Sequence, residues 1–204
     1  MIYKSDLSQR NKKLKQILER IWDFRESPLY QYRTENHYYP VIGEGAHDAK
    51  IMFIGEAPGE KEAQTGRPFC GAAGKLLDQL LESINLIRAD VYISNIVKDR
   101  PPKNRDPSPE EIMLYSPFLD EQINIIQPQI IATLGRFSMQ YVLNKYNLQE
   151  SGQTITKLHG KALTAKTNYG NIIIFPLYHP AAALYTNSLK KTLLQDMQKL
   201  SQIL

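Results

Sequence analysis

Ile51-Met52-Phe53-Ile54-Gly55-Glu56-Ala57-Pro58-Gly59 is a short apolar run that stops in a Gly/Pro turn carrying one carboxylate. The run is continuous rather than alternating, which is the pattern of a strand covered on both faces. A second run, Ile172 to Leu177, stops in the same way at Tyr178-His179-Pro180-Ala181. Polar turns at the carboxyl ends of buried strands are where an open α/β sheet builds a site. The groups offered there, a carboxylate and an imidazole, suit the stabilisation of charge on a heterocycle. They do not suit the gripping of a triphosphate.

Working outward, residues 91–96 and Ile130 to Leu134 read as further buried strands. Leu76, Leu77, Leu80, Leu81 and Ile84 recur at helical spacing and predict a helix over 72–84. Leu14, Ile17, Leu18, Ile21 and Trp22 do the same over 5–26, with Pro28 as the stop. Ser108 as N-cap, Pro109 in the first turn and Glu110 and Glu111 on the positive end predict a helix running to about Ile126. Gly135 to Lys145 and residues 188–203 read as the last helices. Residues 29–48 read as an irregular, tyrosine-rich stretch, and 150–170 as a connection with room for short strands.

Strands alternating with helices imply a three-layer α/β/α sandwich around a central, mainly parallel four-stranded sheet. One domain over 1–204 is expected, with 1–28 as an N-terminal helix packed on it. In a parallel sheet the segments 55–71, 95–107, 135–138 and 178–186 can converge on one edge.

Composition narrows the chemistry. No apolar stretch is long enough to span a bilayer, and Met1 to Lys15 is too polar for a signal peptide, so a soluble cytoplasmic monomer is expected. The single cysteine, Cys70, excludes a disulfide framework and a cluster held by several thiolates. The histidines at 37, 47, 159 and 179 lack metal-ligand spacing. A net charge of +4 permits a nucleic-acid partner without demanding one. Lys98, Arg100, Lys103 and Arg105 lie together and are the candidate phosphate contacts.

Each candidate side chain has an ordinary reading beside a chemical one. Glu56 orients a substrate or a water, or else pairs with a loop arginine such as Arg67. Phe69 stacks on a flat ring, or fills the core. Asn95 presents a donor and an acceptor in one plane, as a base edge requires, or caps a turn. His179 donates to a developing oxyanion, or is a partly buried histidine bonded to backbone, the reading given to His37, His47 and His159. Pro180 to Leu184 is a small apolar loop that wedges into a duplex or turns into the last helix. There is no GK[ST], so Gly71 and Gly74 do not make a P-loop.

Taken in order, these segments are specific. Gly55-Glu56-Ala57-Pro58-Gly59, Gly66-Arg67-Pro68-Phe69, Gly71-Ala72-Ala73-Gly74-Lys75-Leu76-Leu77, Tyr92-Ile93-Ser94-Asn95-Ile96-Val97-Lys98, Arg100-Pro101-Pro102 with Asn104-Arg105-Asp106-Pro107, and Tyr178-His179-Pro180-Ala181 resemble the motif series of the family 4 uracil-DNA glycosylases. The resemblance implies excision of uracil flipped out of single- or double-stranded DNA. It implies Glu56 and His179 as the catalytic groups, and Gly55, Ala57, Glu62, Phe69 and Asn95 around the base. Ala57 falls where other glycosylase families carry a water-activating Asp. Pro180, Ala181 and Leu184 fall in the loop that fills the gap left by the base.

Most members also hold a 4Fe-4S cluster on four cysteines, whose positions fall near Phe24, Ser27, Asp99 and Tyr115. None is cysteine here. No cluster is expected, with Phe24 and Tyr115 packing together in its place. Two other readings stay open: a non-catalytic uracil or single-strand DNA-binding protein, and a glycosylase for another deaminated base such as hypoxanthine.

Overall fold

The computed structural model describes residues 2–204. In chain order the elements are α1 (Ile2–Trp22), α2 (Tyr30–Glu35), β1 (Glu44–Gly45), β2 (Ile51–Gly55), α3 (Glu60–Thr65), α4 (Ala72–Glu82) and β3 (Tyr92–Asn95). There follow α5 (Pro109–Ile126), β4 (Ile130–Leu134), α6 (Arg136–Lys145), α7 (Ile155–Leu158), β5 (Leu163–Thr167), β6 (Gly170–Leu177), α8 (Pro180–Ala183) and α9 (Asn187–Ser201). Among the described residues no helix is long and apolar enough to cross a membrane.

The sheet has six strands in the order β1-β3-β2-β4-β6-β5. The inner strands β3, β2, β4 and β6 are all parallel, as the buried runs predict. The expected count of four omits two antiparallel edge strands, β1 on β3 and β5 on β6. Both lack a buried run: β1 is two residues long, and in β5 only Ala165 is buried.

Period-2 alternation divides the core. Met52, Ile54 and Ile131 face one layer, with Leu14 and Ile17 of α1, Tyr115 and Leu119 of α5, and Met139 and Val142 of α6. Ile51, Phe53 and Ala132 face the other, with Leu77 and Leu80 of α4 and Leu193 and Met197 of α9. Ser108 caps α5 by accepting from the Glu111 N–H at 3.1 Å, while Glu111 accepts from the Ser108 N–H at 2.8 Å.

The N-terminal helix ends at Trp22, where its apolar spacing ends and before the bound of 26 that Pro28 suggested. Arg33, from the helix α2 inside the stretch read as irregular, donates to the Trp22 carbonyl at 2.6 Å and closes the end. Its guanidinium also lies 3.1 Å from buried Asp99. The Tyr115 hydroxyl contacts Asp99 Oδ2 at 2.6 Å and Ser27 Oγ at 2.7 Å, and Phe24 sits edge-on to the Tyr115 ring at 5.5 Å. The expected Phe24–Tyr115 contact is present, but polar bonds accompany it. These bonds tie the end of α1 to the segment after β3 and to α5.

Candidate active site

Parallel register brings the four predicted segments to one sheet edge. Gly55 pairs with Asn95, and the ladder runs on through Ile96 N–H to Gly55 O at 3.1 Å and Val97 N–H to Glu56 O at 3.0 Å. Across β4, Gly135 donates to Leu177 O at 2.8 Å. Its φ of +95° and the 3.1 Å approach of its Cβ position to His179 Cβ explain a glycine there. The chain runs from β2 out to β3 on one side and later returns to β4 on the other. The end of β2 is therefore the switch point of the sheet.

There lies a pocket of about 320 Å³ lined by Glu56, Ala57, Pro58, Gly59, Glu62, Phe69, Ala73, Asn95, Pro101, Asn104, Arg105, His179 and Ala181. All the base-contacting and catalytic candidates are among these except Gly55. That glycine lies against two of them. A Cβ on it would come within 2.3 Å of Asn95 Oδ1 and 2.6 Å of Phe69 Cζ, so only glycine lets amide and ring approach each other.

Phe69 is both buried and a wall of the pocket, so the core and site readings describe one side chain. Its ring stacks on that of His179, with centroids 5.6 Å apart and planes at 29°. Its backbone is left-handed, φ +48°, which is costly for a residue with a Cβ. Glu62 Oε1 fixes the next turn by accepting from the N–H groups of Cys70 at 2.9 Å and Gly71 at 2.8 Å. Gly74 lies so close beneath that a Cβ would strike Phe69 O at 1.7 Å.

Three polar groups converge on this space. Asn95 is buried, and its Oδ1 has no hydrogen-bond partner among the described residues. His179 caps α8: its Nδ1 accepts from the Ala181 N–H at 3.1 Å. An accepting Nδ1 carries no proton, so the neutral ring keeps its proton on Nε2 as a donor. Burial pushes the His179 pKa down to about 4, against the opposing pull of Glu62, so the ring is neutral at ordinary pH. Burial, and then the neighbouring Asp106 charge, raise the Glu56 pKa to about 7, opposed by Arg136. The pairing of Glu56 with Arg67 does not occur, because Arg67 holds Glu44 bidentately at 2.8 and 2.9 Å.

The basic segment is corrected most. Lys98 is fully buried and donates to Ser94 Oγ, Asn95 O and Gln122 Oε1 at 2.8, 2.6 and 2.6 Å, so it reaches no phosphate. Burial holds its pKa well below the usual lysine value. Arg100 is 8% exposed and committed to Tyr38 Oη at 2.7 Å, Asn104 Oδ1 at 2.8 Å and Glu60 at 3.5 Å. Pro180 is buried as the first residue of α8. Lys103, Arg105, Ala181 and Leu184 remain at the surface. Arg105 is held by Glu111 at 2.6 Å.

Sequence reasoning carried Asn104 in a motif but gave it no place in the pocket wall, and it missed Tyr185, which is 95% exposed beside Leu184. It also gave no role to Asp106, which stands in the same motif, or to Arg136; both charges act on Glu56 after burial. The Asn104 and Arg105 positions depend on a turn in which Lys103 and Asn104 both take positive φ, and no local pattern announces it. His159 bonds the buried carboxylate of Asp196 at 2.6 Å rather than backbone.

Known proteins are similar to this chain in sequence. The family model of the uracil DNA glycosylase superfamily matches residues 42–200. A type-4 uracil-DNA glycosylase of Sulfurisphaera tokodaii is 49% identical over 191 residues, 93% of this chain and 84% of the relative. Those of Archaeoglobus fulgidus and Thermotoga maritima are 40% and 39% identical, over 93% and 90% of this chain and 92% and 90% of theirs.

Proposed function

This chain belongs to the uracil-DNA glycosylase superfamily, and on that premise we propose that its pocket hydrolyses the N-glycosidic bond of uracil in DNA and leaves an abasic site. The observation that carries the reading is the orphaned, buried Oδ1 of Asn95 beside the pocket. A buried acceptor without a partner is costly unless a ligand supplies a donor. Uracil offers a ring N–H there and a carbonyl to the same amide's N–H. Cytosine offers neither, since its ring nitrogen lacks a proton and its exocyclic group is a donor.

A base paired in a duplex must be swung out before it can enter, at a cost of a few kcal/mol. Lys103 and Arg105 hold phosphates, while Ala181, Leu184 and the exposed Tyr185 follow α8's cap into the space the base leaves. Phe69 takes the ring by its face. As the glycosidic bond lengthens, the sugar gains oxocarbenium character and the departing uracil becomes an anion. The His179 Nε2–H stabilises that charge at the carbonyl oxygen. Ala57 supplies no base, so ionised Glu56 orients the attacking water. The proton the water loses passes to solvent or to Glu56.

An oligonucleotide with one uracil, incubated with the protein and then with alkali, breaks at that position if the reading is right. Bound but intact DNA leaves a binding protein, and breakage only at hypoxanthine leaves another glycosylase. Because Glu56 titrates near 7 and acts ionised, the single-turnover rate rises through about pH 7 and levels above it. Glu56→Gln removes the rise; a rise that survives this substitution belongs to another group.

We also propose that this member works without a cluster. The chain has one thiol, so the four-cysteine ligand set cannot be assembled. The positions where those ligands fall are joined instead by the Arg33–Asp99 pair and the Tyr115 hydroxyl. Purified protein is expected to be colourless, and stoichiometric iron with a visible band would reject this. Tyr115→Phe removes one partner of a buried carboxylate and is expected to cost about 1–3 kcal/mol. For a domain of this size each kcal/mol lowers Tm by roughly 2–4 °C. An unchanged melting curve would count against the network as the staple.

A further inference from the structure

Phe69 is held in its left-handed conformation from two opposite flanks, and only one flank belongs to the pocket. On the pocket side, Glu62 accepts the N–H groups of Cys70 and Gly71. On the far side, Arg88 donates through Nη2 to Pro68 O at 2.7 Å and through Nη1 to Phe69 O at 3.1 Å. Arg88 does not line the pocket. Its guanidinium is itself fixed by Asp78 Oδ1 at 3.0 Å, with Glu44 Oε1 at 4.0 Å from Nε.

The geometry points to Arg88 as a positioning residue for the aromatic platform, acting through the carbonyls of Pro68 and Phe69. A φ of +48° is costly for a bulky residue such as Phe, and bonds to the peptides around it can hold it there. A carboxylate on the N–H groups and a guanidinium on the carbonyls oppose rotation of the intervening peptides in both directions, and charge-assisted bonds of this kind are the stronger ones. A planar fork that meets two carbonyls at once also fixes their relative orientation, which an ammonium cannot do.

The chain position of Arg88 gives the clamp its consequence. It sits in the turn Arg88–Asp90, immediately before β3, whose last residue is Asn95. Arg88 therefore links the face that carries the base to the strand that reads its edge. The two must stay in register for the base to meet both. Only 20% of its side chain is exposed and both terminal nitrogens are engaged, so it is not a phosphate contact.

This role rests on the stacking of uracil on Phe69, and a double-mutant cycle separates the two. Single-turnover excision is measured for Arg88→Met, Phe69→Leu and the double variant, with DNA affinity, its salt dependence and Tm alongside. Arg88→Met is expected to slow excision about tenfold, within the cost of misplacing a reacting group by a fraction of an ångström. Its DNA affinity and salt slope stay unchanged. In the Phe69→Leu background the same change costs less than about twofold, because the platform it positions is gone. Arg88→Lys keeps the charge, loses the fork and gives an intermediate rate; it serves in the cycle if Arg88→Met does not fold. A wild-type rate for Phe69→Leu alone rejects the stacking beneath the proposal. An impaired Phe69→Leu combined with an equal Arg88 effect in both backgrounds rejects the role of Arg88 only.

Discussion

His179→Ala is expected to slow single-turnover excision by roughly 10²–10³, the usual cost of removing one donor to a developing oxyanion. Affinity for uracil-containing DNA changes little, because the donor acts on charge that appears only as the bond breaks. The structure fixes the state in which this donor works. Nδ1 is occupied as an acceptor from the Ala181 N–H, so the one proton of the neutral ring lies on Nε2. Burial lowers the pKa to about 4, and the ring therefore does not become cationic as pH falls from 8 to 5. No acid limb from His179 is expected in that window, where the limb near pH 7 belongs to Glu56. The stability sign follows the same shift. The unfolded chain takes up a proton below about 6.5 that the native ring refuses, so this group's contribution to stability falls from there towards pH 4. His179→Ala with an undiminished rate would remove the imidazole from the chemistry.

Asn95→Asp is the second large effect. The substitution replaces the amide donor by a second acceptor at nearly constant volume. Facing uracil, one carboxylate oxygen still accepts from the ring N–H, but the other now opposes a carbonyl. Losing one good contact of a bidentate pair costs about 1–3 kcal/mol of discrimination, and the repulsion adds to it. Uracil excision is expected to fall about a hundredfold. Selectivity against cytosine narrows as well, since a carboxylate accepts from cytosine's amino group. The measurement is the ratio of single-turnover rates on paired oligonucleotides that differ only in uracil or cytosine. A variant with unchanged rate and unchanged ratio would show that Asn95 does not read the base edge. Lys98 bears on the same residue: it donates to the Asn95 carbonyl from a fully buried position, so the strand end cannot shift to relieve the mismatch.

Much of this site is legible before any folding is considered. Glu56 and His179 each follow a run of apolar residues closely, Asn95 ends the strand Tyr92–Asn95, and the parallel sheet puts these strand ends on one edge. Phe69 lies in a Gly- and Pro-rich loop leaving one of those ends. The four inner strands are legible because burial on both faces writes a continuous apolar run, and α5 because its cap and first turn are local chemistry. The edge strands are less legible, β1 not at all and β5 only as room for a short strand within 150–170: an edge strand is half solvated and needs no such run.

The side chains misread are those whose direction is set by distant partners. Lys98, Arg100, Lys103 and Arg105 form one basic cluster on paper. In the fold Lys98 turns inward to Gln122 and Arg100 is taken by Tyr38 and Glu60, while Lys103 and Arg105 stay at the surface. A cation's sequence neighbours say nothing about which acceptors, dozens of residues away, will surround it. The same holds for Arg88, which no motif marks, and for Arg33 and Asp99, whose pairing crosses from α2 to the segment after β3.

Sequence alone thus determined the layered parallel sheet and the four groups at its edge, because hydrophobic periodicity and chain order are local and additive. Tertiary structure alone decided which charges are buried and how Glu56 titrates, because these depend on desolvation and on partners brought near only when the sheet closes.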